Sequence, residues 1–124
     1  MHEIALELLG RLVAREIRDN TIRNFDQYLR GKSRGKYAKA VWALYEEHED
    51  DPKALLEAFI PVIVDETIGI FLQVLDEYLD RVVIQVDEGE ELKSPYAYTD
   101  ALEGEYRPED GWIATYSKER PSKV

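Results

Sequence analysis

The chain of 124 residues contains no cysteine. That removes disulfide frameworks, thiol nucleophiles and thiolate metal sites together, and it fits a reducing compartment such as the cytoplasm. Histidine is nearly as scarce. His2 and His48 stand near the start of the chain and beside a loop, outside any H-x-E or H-E-x-x-H spacing, so neither a metal site nor a histidine base has a motif here. No G-x-S-x-G, Walker or dinucleotide glycine pattern occurs among the seven glycines. The templates of most hydrolases and oxidoreductases therefore lack a nucleophile or a cofactor loop. The opening MHEIALELLG has neither a basic leader nor a small-residue cleavage pattern, so a signal peptide is not expected. The longest strictly uncharged run, Thr67 to Leu75, falls well short of the ~20 residues of a membrane span, and no membrane partner is expected.

What the chain does have is apolar surface and acid. Hydrophobic residues make up 44% and charged residues 34%, enough for one domain spanning 1–124 to bury a core without a staple. Sixteen basic residues face twenty-six acidic ones, a net charge of −10. The sign changes along the chain: residues 1–45 hold nine bases and five acids, residues 46–124 seven and twenty-one. Such a balance repels nucleic-acid phosphates at long range and favours a cationic protein partner.

Periodicity predicts a mainly α fold, a bundle of about four helices around a central apolar helix at 62–80. A small β element is expected near 82–98, and a short helix or strand at the end. From Glu3 to Leu29 apolar residues recur three or four apart, the helical period. Asp19, Asn20 and Thr21 are residues that can cap as well as continue, leaving one helix or two open. The glycines of Arg30–Lys36 suit a helix end. Tyr37, Ala40, Val41, Leu44 and Tyr45 then form the stripe of a second helix. Asp51 reads as an N-cap and Pro52 as the first residue of a third. Pro61 is expected to divide that helix into pieces at about 52–60 and 62–80, because proline lacks an amide donor and crowds the preceding turn. The alternating VVIQV of residues 82–86 predicts a strand and Glu88–Glu91 a turn. Pro108, Glu109 and Asp110 suit the first turn of a terminal helix over 108–118, a strand being the other option, and the last few residues are expected to fray.

Three groups could carry function. Acids Asp65, Glu66, Asp76, Glu77 and Asp80 share one face of the central helix, which is ordinarily a solvated stripe. Joined to the E-E-x-x-D run of Glu46, Glu47 and Asp50, the E-x-x-D of Glu77 and Asp80 resembles the all-α nucleoside triphosphate pyrophosphatases. That resemblance implies Mg²⁺ held by the five carboxylates against a nucleotide's phosphates. It departs from the family pattern at Asp51-Pro52, which ends the second helix early. The basic cluster Arg30, Lys32, Arg34, Lys36 and Lys39 is expected to pair with the acidic half of the same chain. Finally, Tyr96, Tyr98, Tyr106 and Trp112 lie among Glu90, Glu91, Asp100, Glu105, Glu109 and Asp110. Aromatic anchors ringed by carboxylates are how a tight inhibitor of a basic protein is built. The favoured expectation is thus a non-enzymatic cytoplasmic binding protein of the immunity-protein or antitoxin kind, without cofactor or metal. A pyrophosphatase-like enzyme and a dimerisation or scaffold module are the alternatives.

Overall fold

The computed structural model describes residues 4–124, and His2 lies outside them. The chain is mainly α-helical with one small antiparallel hairpin. It divides into two compact units. The first runs to Ile68 and is completed by Arg120–Val124; the second is Gly69–Glu119.

The first unit opens with α1 (Ala5–Arg11), a π-helical stretch (Leu12–Asp19) and α2 (Asn20–Tyr28). Asp19 and Asn20 keep helical dihedrals, so of the two readings left open the helix continues without a break here. The buried residues explain the π geometry. Leu8, Leu12, Ile17, Thr21 and Phe25 are all buried, and every step between them is four residues except Leu12 to Ile17, which is five. In a plain α-helix Glu16 would take the buried position. A π turn, bonded i→i+5, absorbs the extra residue and returns Ile17 to the stripe. Where the ladder reverts to α, the Asn20 amide donates to the Glu16 carbonyl at 2.8 Å and the Thr21 hydroxyl to that of Ile17 at 2.7 Å. These side chains bond backward instead of capping.

The α2 helix stops at Gly31, whose φ of +71° is costly for any other residue and whose Cα faces the Trp42 indole. A Cβ there would stand 2.9 Å from the ring. On α3 (Lys36–His48), Ala38, Val41 and Leu44 are buried. Val41 and Leu44 join Phe25, Phe59 and Val62 in one core cluster, flanked by Tyr28, Tyr37, Tyr45, Leu55, Ala58 and Val124. Edge-on contacts of Tyr28 with Phe25 and with Tyr37, both with ring centroids 5.4 Å apart, knit α2 to α3.

Helix α4 (Pro52–Glu77) begins as expected, the Ala54 amide donating to the Asp51 carboxylate at 3.2 Å. It then runs 26 residues without dividing at Pro61, contrary to the sequence expectation. The reason lies at the other end of the chain. Proline's missing N–H leaves the Glu57 carbonyl, four residues back, without its helical donor. The Arg120 guanidinium supplies two, from Nε at 3.2 Å and Nη2 at 2.9 Å. The terminal residues are accordingly held: Arg120 bonds Glu57, and Val124 packs on the core cluster.

In the second unit Ile70, Leu72 and Val74 of α4 are buried, as is Leu102. A turn carries the chain beyond Glu77, the Val82 amide donating to the Tyr78 carbonyl at 2.8 Å. The strand expected at 82–86 starts only at Val86. β1 (Val86–Asp87) pairs with β2 (Leu92–Lys93), with Val86 opposite Lys93 and Asp87 opposite Leu92. Residues 82–85 alternate correctly, but the partner arm is two residues long because Pro95 ends it by opening a 3₁₀ turn (Pro95–Ala97). A second 3₁₀ turn (Glu103–Glu105) precedes α5 (Trp112–Tyr116), a helix shorter than the 108–118 expected. Pro108 to Gly111 forms a turn instead, closed by the Gly111 amide on the Pro108 carbonyl at 2.8 Å. Gly111 is needed there: a Cβ would stand 2.7 Å from the Glu105 carbonyl.

Candidate functional site

Charge is uneven between the two units as well as along the sequence. Gly69–Glu119 holds thirteen acids and four bases, a net of −9, which is nearly the whole charge of the chain. The candidate surface is built within this unit.

Asp76 organises it. One carboxylate oxygen accepts from the Tyr96 hydroxyl at 2.7 Å and the Leu102 amide at 2.9 Å, and the other accepts from the Glu103 amide at 3.0 Å. Asp76 therefore does not belong to a solvated stripe awaiting a partner. It ties α4 to the segment carrying the second 3₁₀ turn, satisfying amides that would otherwise be orphaned at the start of that turn. Tyr96, expected as a contact residue, is half-buried in this network. Burial first, and then the bond to Asp76, push its hydroxyl well above the ordinary tyrosine range.

Tyr98 is different. It is 68% exposed, and its hydroxyl donates to the Glu88 carboxylate at 2.7 Å, a bond that raises its pKa and holds the ring from its far end. Tyr98 lines an open cleft of about 360 Å³ with Pro95, Thr99, Leu102, Glu105 and Trp112. Leu102 is its buried floor, and Trp112, 37% exposed, is the second ring. Three of the ten residues proposed from sequence, Tyr98, Glu105 and Trp112, thus meet in one concavity.

The other proposed residues surround no common point. Glu90 and Glu91 occupy the hairpin turn, where Glu91 pairs with Lys93 at 3.3 Å. Asp100, Glu109 and Asp110 are exposed in loops. Tyr106 is half-buried and its carbonyl accepts from the Ile113 amide at 3.1 Å. Tyr116 is 74% exposed.

In the first unit, His48 lines a cleft of about 310 Å³ with Ala54, Glu57, Ala58, Pro61, Arg120, Pro121 and Lys123. It is less exposed than a loop position implied. Glu46 and Glu47 end α3, Asp50 follows it in a turn, Glu77 ends α4 and Asp80 lies beyond it. Among the described residues no group of three or more histidines or acids is placed to hold a metal ion. Within the first unit, none of Arg30, Lys32, Arg34, Lys36 and Lys39 forms an ion pair with another described residue.

Comparisons of the chain with protein families, with curated proteins and with solved structures each find no match.

Proposed function

We propose that this chain is a non-enzymatic binding domain whose second unit receives a basic protein, in the manner of an immunity protein or antitoxin acting in the cytoplasm. The observation that carries this reading is the concentration of net charge −9 in Gly69–Glu119, on a unit that also exposes Tyr98, Trp112 and Tyr116. Carboxylates spread over the hairpin and loops draw a cationic surface in from beyond contact distance, while exposed aromatics supply desolvated area once it arrives. A basic nuclease or nucleic-acid-binding surface covered in this way loses access to phosphates by occlusion.

The test is capture from the native host's lysate at low and moderate salt, followed by reconstitution with the purified candidate. The reading requires a basic partner whose activity falls on binding, whose association slows as salt rises, and which is lost on Glu109→Lys with Asp110→Lys. A partner of neutral or acidic character, or affinity unmoved by that charge reversal, would sink it.

One observation favours a second reading, self-association. On the first unit's part of α4, Leu56, Ile60, Ile63 and Val64 are 64%, 51%, 44% and 47% exposed, a row at helical spacing left open to solvent. By length and composition α4 also qualifies for a membrane span: its most apolar window has a mean hydropathy of 1.8, and 39% of that window is buried. Asp65 and Glu66 fall mid-helix, where ionised side chains cost about 2.5–3.5 kcal/mol each in a bilayer. A second copy of the chain is therefore the better occupant of that row. Sedimentation of the purified chain against an Ile60→Glu, Ile63→Glu variant decides it: a dimer that the variant dissolves supports this reading, and a monomer in both removes it.

A further inference from the structure

We propose that the cleft between Tyr98 and Trp112 is the seat of a single arginine side chain contributed by the partner. This inference rests on the basic-partner reading and narrows it to one residue class and one pocket.

The wall of the cleft supplies two aromatic rings and one carboxylate. Glu105 is half-buried and makes no ion pair among the described residues, so the cleft offers a negative charge without a resident cation. Its other polar side chain is already occupied, the Thr99 hydroxyl donating to the Ala101 carbonyl at 3.2 Å. Tyr98 is held through its hydroxyl by Glu88, and its ring therefore loses little freedom when something stacks on it. At about 360 Å³ the space lies near the small end of ligand pockets. An apolar side chain entering it would strip water from Glu105 and return nothing for the charge. A planar guanidinium both stacks on an aromatic ring and forks onto a carboxylate; an ammonium does only part of this.

The probe is acetyl-Gly-Arg-Gly-amide, titrated into the ¹⁵N-labelled whole chain beside the same peptide carrying citrulline, lysine or norleucine. The Trp112 indole N–H resonance is assigned by its loss in Trp112→Phe. The arginine peptide is expected to shift that resonance and to bind about tenfold more tightly than its neutral isostere citrulline, with lysine between them. Glu105→Gln is expected to bring arginine down to the level of citrulline without changing citrulline itself. Tyr98→Leu, at a position mostly in solvent, is expected to weaken arginine about three- to tenfold with the rest of the spectrum preserved. An unshifted Trp112 indole at millimolar peptide, equal affinity for arginine and citrulline, or indifference to Glu105→Gln each overturn the proposal. A natural partner lost on Glu109→Lys with Asp110→Lys but kept by both Glu105→Gln and Tyr98→Leu overturns the cleft alone and leaves the acidic-surface reading standing.

Discussion

Pro61 and Arg120 should be thermodynamically coupled although 59 residues separate them in sequence. Proline within a helix costs about 3 kcal/mol relative to alanine, part of it the lost bond to the carbonyl four residues back. Here Arg120 bonds that carbonyl twice. The site is exposed, so water competes, and Arg120→Ala should cost about 1 kcal/mol, nearer the value of an ordinary hydrogen bond than of a buried charged one. Pro61→Ala restores the backbone donor and relieves the crowding, while forfeiting about 0.4–1 kcal/mol of unfolded-state stiffness. The net expectation is a gain of about 2 kcal/mol. Once the backbone amide restored by Pro61→Ala donates to Glu57, Arg120→Ala should cost only a few tenths of a kcal/mol. Urea denaturation of the four proteins of the cycle measures this directly, and heating should show the wild-type Arg120→Ala loss as a fall in Tm of about 3–5 °C. Arg120→Lys should behave like Ala, because one ammonium does not reproduce two forked donors. A loss on Arg120→Ala that is the same in both backgrounds, or a Pro61→Ala variant less stable than wild type, refutes the account of how the helix passes through its proline.

Asp76→Asn should cost about 2–3 kcal/mol, since one of three donors must face an amide instead of a carboxylate oxygen; hydrogen exchange of the Leu102 and Glu103 amides should quicken with it. Tyr96 sets an alkaline limit. Its folded pKa lies above the ordinary 10.0, so folding favours the protonated phenol. The contribution is complete below about pH 10 and is lost as pH rises beyond it, where the unfolded chain gives up its proton first. Tyr96→Phe should flatten the fall of stability above pH 10, read by denaturation at stepped pH, and tyrosinate absorbance should show one late-titrating group vanish. Deleting Glu16 should leave stability unchanged or improved, because Leu12 and Ile17 then stand four apart and the helix closes as α throughout. Deleting Arg23, in α2 beyond the π stretch, leaves Thr21 and Phe25 three apart, turns Phe25 off the stripe and should cost several kcal/mol by thermal denaturation.

Much of this was legible in residue patterns that act locally. The Asp51 cap, Gly31 at the end of α2, the stripe of α3 and the turn at Glu88–Glu91 each depend on a few neighbouring residues. Features that depend on a distant partner were not. Pro61 reads as a break because nothing nearby announces that Arg120 will serve Glu57. Asp76 reads as one acid of a solvated stripe, since the amides it binds lie 26 and 27 residues on. The five-residue step at Ile17 is visible, but only burial shows that the helix yields to it. For the candidate site, sequence brought out the acids and aromatics of the last third. It did not distinguish Tyr96, committed to Asp76, from Tyr98, Glu105 and Trp112, which meet around open space. The aromatic content of residues 95–98 pointed to the region, and no spacing rule within it pointed to the pocket.

The interruption of the first unit by the second has a consequence in time. During synthesis, Glu57 leaves the ribosome long before Arg120, and the 51 residues of Gly69–Glu119 are made between the first unit's opening stretch and its completion. At elongation rates of about 5–20 residues per second, that interval is on the order of three to ten seconds. Throughout it the Glu57 carbonyl lacks the Arg120 donors, and the core cluster lacks the contact with Val124. The nascent chain thus passes through a defined, incomplete species whose lifetime is set by translation, and slow codons within residues 69–119 would prolong it.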